Sequence, residues 1–262
     1  MEIFAIADPH LSLGTPGKGM ERFGANWVDH AQQIDTAWRE AVAEEDLVLI
    51  AGDISWAMKL DGARPDIDFL GSLPGTKVMI KGNHDYWWQS VRKVRAILPD
   101  RFHAIEADAI EVNGVIICGT RLWDVPGVSF DDLIEWREES DPTVTENTAD
   151  EAAEPSRPDT SHIYHREVGR LRRSLEHARQ LAAESEALRT IVMTHYPPCD
   201  AHGTGNELTG LFEQSGVSDV IFGHLHNLKP GHKPFGIRNG ISYHLTACDW
   251  LNFQPKLIGE VG

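Results

Sequence analysis

Asn83, His84 and Asp85 stand in a row just after the apolar residues Val78, Met79 and Ile80, and each of the three could bind a metal or move a proton. Four further blocks carry related chemistry: Asp8-Pro9-His10, Gly52-Asp53, His195, and Gly223-His224-Leu225-His226. Asp8 and His10 are two apart, as are His224 and His226, and residues at that spacing on an extended segment point to one side and can chelate one ion. Imidazole, carboxylate and amide oxygen together suit Mn, Fe, Zn or Co better than Ca or Mg alone. The seven groups Asp8, His10, Asp53, Asn83, His195, His224 and His226 are too many for one ion and suit two that share a carboxylate. Two ions about 3.5–4 Å apart can hold a hydroxide between them and clamp the oxygens of an in-line displacement at phosphorus. Taken alone, an Asp-x-His is common in surface loops, and Gly52, Gly82 and Gly223 could be simple turn residues. The specificity lies in the ordered set.

That set resembles the calcineurin-like metallophosphoesterase superfamily, whose pattern is DxH, GD, GNH followed by an acid, a lone His, and GHxH; the likeness spans residues 8 to 226. The resemblance implies an α/β fold, a four-layer α/β/β/α sandwich of two mixed β-sheets flanked by helices, with metals at the strand ends. It implies that Asp8, His10 and His226 hold one divalent ion, that Asp53 bridges, and that Asn83, His195 and His224 hold a second. His84 is then free to contact a phosphoryl oxygen and protonate the leaving group, with Asp85 orienting its imidazole. The expected reaction is hydrolysis of a phosphate ester by a metal-bridging hydroxide, in one displacement without a phosphoenzyme. Diesters are slightly favoured over the alternatives, a phosphomonoesterase or a phosphoprotein phosphatase. A non-catalytic metal-binding scaffold is a further reading, against which the complete ligand set and His84 both count.

The elements that must position these groups are partly readable. Ile3–Ala7, Leu47–Ala51, Val78–Ile80, Thr190–Thr194 and Val220–Phe222 are short apolar runs suited to buried strands, each closing on one of the blocks. From an N-cap at Asn26, the spacing of Trp27, Ala31, Ile34, Trp38, Ala41 and Val42 predicts a helix, and Tyr164 to Leu181 repeats the pattern. A third helix is predicted from about Trp88 to Leu98, before Pro99. Ala109–Val112 and Val115–Cys118 flank Asn113-Gly114 and read as a hairpin, and strands at Ile241–Ala247 and Lys256–Val261 follow.

At 262 residues the chain is expected to form a single domain, 1–262. Residues 138–161 hold eight acidic residues against one arginine, and read as a mobile surface loop or insertion. The formal charge of -16 disfavours nucleic acid, leaving a small phosphorylated substrate as the expected partner. Cys118, Cys199 and Cys248 have no metal or disulfide spacing. With no signal-like start and no apolar run long enough to span a bilayer, a soluble cytoplasmic protein is expected; oligomeric state is not readable. Outside the blocks, Arg121 is a candidate for a substrate phosphate or for pairing with an acid, and His202 is a candidate substrate contact. Trp56, Trp87 and Trp88 flank ligand blocks, and at least two of them are expected to fill core.

Overall fold

The computed structural model describes residues 1–135, 160–187, 189–232 and 234–261. Eleven strands among them form two mixed sheets. In the first, β1 (Glu2–Ile6), β2 (Leu47–Ile50), β3 (Thr76–Met79) and β4 (Phe102–Ala104) run parallel, and β11 (Lys256–Glu260) pairs antiparallel with β1. In the second, β6 (Val115–Gly119), β7 (Arg189–Met193), β8 (Asp219–Phe222) and β10 (Ile241–Leu245) are parallel in that order. β5 (Ala109–Val112) and β9 (Gly236–Arg238) close its edges antiparallel.

The apolar runs are continuous because each strand is buried on both faces, with alternate residues going to different layers. Ile3, Ala5, Leu47, Leu49 and Val78 face inward against Val115, Ile117, Ile191 and Ile221 of the other sheet. Phe4, Ile6, Val48 and Ile50 face outward, where α1 (His30–Ala41), α2 (Leu60–Gly71) and α3 (Val91–Arg95) cover them with Ile34, Trp38, Ile67, Leu70 and Val94. Ile116, Val192 and Phe222 face the opposite way, under α4 (Ser161–Glu184) and α5 (Glu207–Gln214). The expected four layers are therefore present. No helix among the described residues is long and apolar enough to cross a membrane.

The hairpin at Asn113-Gly114 has φ of 49° and 81°, the left-handed pair its tight turn requires. Two helix expectations need correction. Asn26 caps nothing, because α1 starts at His30 behind Asp29, which takes φ 52°, and Trp27 sits in a separate 3₁₀ turn. α3 is a five-residue helix capped by Ser90, whose Oγ accepts from Lys93 N. Trp88 stays in the preceding loop, with its carbonyl taken by Lys81 Nζ at 2.9 Å. Residues 138–159 of the acidic segment lie outside the described residues, whereas Thr160 and Ser161 cap and start α4.

Candidate metal centre

The ligand blocks come together because each follows the carboxyl end of a parallel strand: Asp8 after β1, Asp53 after β2, Asn83 after β3, His195 after β7 and His224 after β8. The two sheets are laced at this end by Ala7, whose N–H donates to Thr246 O at 2.7 Å and whose carbonyl accepts from Cys248 N at 2.9 Å. Glycines permit the close approach. A Cβ on Gly52 would lie 2.7 Å from His195 Nδ1, and one on Gly82 or Gly223 would strike the carboxylate of Asp53 or Asp8 respectively.

Asp8, His10 and His226 converge, as do Asp8, Asp53 and His195, each set with one atom per residue within 4.8 Å of the others. His10 Nε2 and His226 Nε2 are 3.3 Å apart. Asp53 Oδ2, in the second set, lies 3.3 Å from His195 Nε2 and also 3.7 Å from His10 Nε2 of the first. Asn83 Oδ1 is 2.6 Å from His195 Nε2. Asp8 Oδ1 is buried without a hydrogen-bond partner, and it faces His226 Nε2 at 3.7 Å and His195 Nδ1 at 3.8 Å. An orphaned carboxylate oxygen ringed by imidazole nitrogens fits a cation. His224 stands beside the sets rather than in them. Its backbone N–H donates to Asp8 Oδ2 at 3.0 Å, and its ring lies 4.0 Å from that of Tyr196.

Electrostatics agree with a cation sink. Burial pushes Asp8 up to about 7, against the pull of His226 and His195. Burial also disfavours the Asp53 carboxylate, yet His195, His10 and His84 together hold its pKa well below the usual range. Burial opposes protonation of His226 and His195, but Asp249, Asp8 and Asp53 lift His226 to about 10, and Asp53 with Asp8 lifts His195 to about 9. In His10 and His224 burial prevails and lowers the pKa well below the ordinary value.

The model of the calcineurin-like phosphoesterases matches residues 1–228. The chain belongs to that family. The Gene 66 protein of Mycobacterium phage D29 is 45% identical over 60 residues, which are 22% of this chain and 28% of the phage protein. The crystal structure of phosphopantetheinyl hydrolase from Mycobacterium tuberculosis shares the fold at 14% identity, with a TM-score of 0.50 over 98% of this chain and 95% of that one. A protein of unknown function, AQ665 from Aquifex aeolicus, aligns over 98% of this chain and 95% of its own at 12% identity and a TM-score of 0.46.

His84 donates its backbone N–H to Asp53 Oδ1 at 2.8 Å, and its ring lies 5.7 Å from His10 and 4.8 Å from Trp56. Asp85 does not orient it. Both Asp85 oxygens are engaged by Ile54 N, Ser55 N, Gly82 N and Trp87 Nε1, and burial with the nearby Asp53 charge raises its pKa to about 6. Its work is to tie the β2 and β3 loops together, and His84 Nδ1 has no hydrogen-bond partner among the described residues. Aromatic contacts with Trp56 and Tyr86 hold the ring instead. Trp87 and Trp88 fill core, and Trp56 stacks on His10 at 5.0 Å.

His202 lies exposed, its backbone held by Asp200 and Arg238, and no hydrogen bond, ion pair or ring contact joins it to the centre among the described residues. Arg121 faces an acid, Glu167, at 4.0 Å and lies over the Trp123 ring. Sequence reasoning missed Asp249, whose Oδ1 is 2.9 Å from His226 Nδ1 and whose Oδ2 accepts from Asn227 N at 3.0 Å. Carboxylate support of a ligating imidazole is the feature that sets its tautomer.

Proposed function

We propose that this protein is a metal-dependent hydrolase of phosphate esters that uses two divalent ions drawn from Mn, Fe, Zn or Co, with diesters favoured. The observation that carries the reading is the buried, unpartnered Asp8 Oδ1 at the junction of two ligand sets that share Asp8. Asp8, His10 and His226 would hold one ion, Asp53 would serve both, and Asn83, His195 and His224 would hold the other. Bound there, the ions would supply an activated water and neutralise charge at phosphorus. Asp53 also fixes the backbone of His84, so the imidazole is set at the rim of the centre by a ligand itself. From there His84 donates a proton to the departing oxygen and needs no carboxylate partner to be placed.

Single-domain organisation of 1–262 belongs to the same proposal, supported by the apolar layer that both sheets share. So does a cytoplasmic setting, in keeping with three free, buried cysteines. The test is the initial rate on bis(p-nitrophenyl) phosphate and on p-nitrophenyl phosphate, with manganese and with chelator, and Asp53→Asn as control. A metal-dependent diester rate that the control loses supports the reading. A dominant monoester rate reassigns the substrate class, and no rate on either in metal-loaded protein refutes hydrolysis of simple esters.

A further inference from the structure

A cavity opens at the same carboxyl edge of the sheets, beyond the metal centre. Its walls come from the residues just after β3 (Lys81), β4 (Glu106) and β6 (Arg121), and from the first turns of α4 (Arg166, Glu167 and Arg170). It adjoins the centre through the main chain. Lys81 immediately precedes Gly82-Asn83, and the Arg121 carbonyl accepts from His195 N at 3.0 Å and Tyr196 N at 2.9 Å.

Its charge is opposite to that of the molecule. The chain carries -16 overall, yet four cationic side chains line this cavity against two carboxylates. Glu167 is fully buried and is already served by Arg166, Arg170 and Thr120 Oγ1. Glu106 lies 3.6 Å from Arg170 and also takes Trp88 Nε1 at 3.4 Å. Lys81 donates its ammonium to the neutral Trp88 carbonyl, and Arg121, which reaches the shared Glu167 only at 4.0 Å, keeps its Nε buried with no hydrogen-bond partner. Four cationic side chains against two carboxylates leave the lining with a surplus of positive charge, an arrangement that favours an incoming dianion with oxygen acceptors.

We propose that this cavity is an anion subsite that takes a phosphoryl dianion, namely a second phosphate borne by the substrate of the adjoining centre. The binding stands on the cavity alone; its assignment to a substrate rests on the phosphoester hydrolysis proposed above. A recess one strand further along the cleft suits a substrate whose reacting phosphorus and distal phosphate are separated, rather than a compact monoester.

Calorimetric titration of inorganic phosphate into the chelator-treated protein tests the binding without the metals. The expected result is binding that Lys81→Met weakens about tenfold, that Glu106→Gln tightens several-fold, and that Asp53→Asn leaves unchanged. Tightening by Glu106→Gln cannot come from misfolding. No binding to the wild-type protein, or binding lost in Asp53→Asn and indifferent to both cavity variants, overturns the subsite. The source is separated kinetically with manganese present. Thymidine 5′-(p-nitrophenyl phosphate) and the same ester carrying a 3′-phosphate share one reacting phosphorus and one leaving group. A KM at least tenfold lower for the 3′-phosphorylated ester, with the advantage removed by Lys81→Met, supports a substrate-borne phosphate. Equal KM values, together with a change in turnover of the plain ester on adding inorganic phosphate, overturn the substrate assignment in favour of a free anion. Absent turnover of both esters in a protein that still binds phosphate refutes the hydrolase reading and leaves the subsite standing.

Discussion

Asp249→Asn is the most informative single substitution, because it exchanges one carboxylate oxygen for NH₂ and leaves the shape of a buried side chain intact. In the wild type, Oδ2 accepts from Asn227 N at 3.0 Å and Oδ1 lies 2.9 Å from His226 Nδ1. A carboxylate accepts at both ends, so a neutral His226 that held an ion would keep its proton on Nδ1 and offer the Nε2 lone pair on the side of Asp8 and His10. An asparagine can accept at one end only. Asn227 N requires the oxygen, so the amide NH₂ turns to His226 Nδ1 and forces the other tautomer, with the proton on Nε2 pointing into the centre. The carboxylate charge that helps raise His226 to about 10 is lost as well. Loss of such support weakens metal binding about 10- to 100-fold, or ~1.4–2.8 kcal/mol. The wrong tautomer places Asp249→Asn at the upper end, below Asp249→Ala, which frees the ring to choose. Manganese affinity by competition against a fluorescent chelator measures both variants. Affinity within twofold of wild type in Asp249→Asn would refute the tautomer argument, and an alanine variant weaker than the asparagine one would refute its ordering.

His84→Asn should retain metal content by elemental analysis while turnover falls at least about 100-fold, the scale of positioned proton transfer; unchanged turnover reassigns the acid. Gly82→Ala drives a Cβ into the Asp53 carboxylate and backbone, and should cost about 1–3 kcal/mol, read as roughly 2–10 °C in thermal melting, together with weakened metal binding. Far from the centre, Asp219 bonds Arg189 Nε at 2.8 Å and His244 Nε2 at 3.0 Å, and although burial opposes its charge, these partners hold its pKa at about 2. A depressed carboxylate stabilises the fold above its unfolded value and loses that contribution as pH falls from about 4 to about 2. After allowance for solvent screening this is ~1–2 kcal/mol, so Asp219→Asn should lower the melting temperature at pH 6 and flatten the acid limb of the stability profile between pH 4 and 2.

Strands and ligand blocks were legible in the sequence for one physical reason. A strand buried on both faces is apolar throughout, so Ile3–Ile6, Leu47–Ile50 and Val220–Phe222 stand out against the polar residues that end them. α2 was missed because Gly62 and Pro65 interrupt its pattern. It is held from outside its own sequence, through Asp66, which accepts from Leu13 N at 2.7 Å and from the Ser55 hydroxyl. β4 and β9 have three residues each, too few for any periodicity to register. Asp249 follows β10, which lies beside β8 in the sheet but 23 residues from His226 along the chain, and only the β8–β10 pairing makes them neighbours.

The convergence of Asp8 with His10 was read from a spacing of two on extended chain, and the fold reaches it by another route. Asp8, His10, Asp53 and His224 have φ of 57°, 44°, 53° and 71°, all left-handed, where residues other than glycine cost ~1–3 kcal/mol each. These turns carry the chain out of the strand so that a residue and its second neighbour face the centre together, and they are held by cross-strand bonds, Asp8 N to Gly52 O and His10 N to Asp53 O, both 3.0 Å. Each ligand therefore does two things at once, presenting a side chain and occupying a disfavoured backbone state. Alanine at Asp8 or Asp53 would change both. Asparagine tolerates the left-handed region about as well as aspartate does and removes only the charge, so Asp8→Asn and Asp53→Asn isolate the ligand chemistry. A loss of metal in the asparagine variants with melting temperature preserved under chelation would therefore report the coordination itself rather than the turn that creates it.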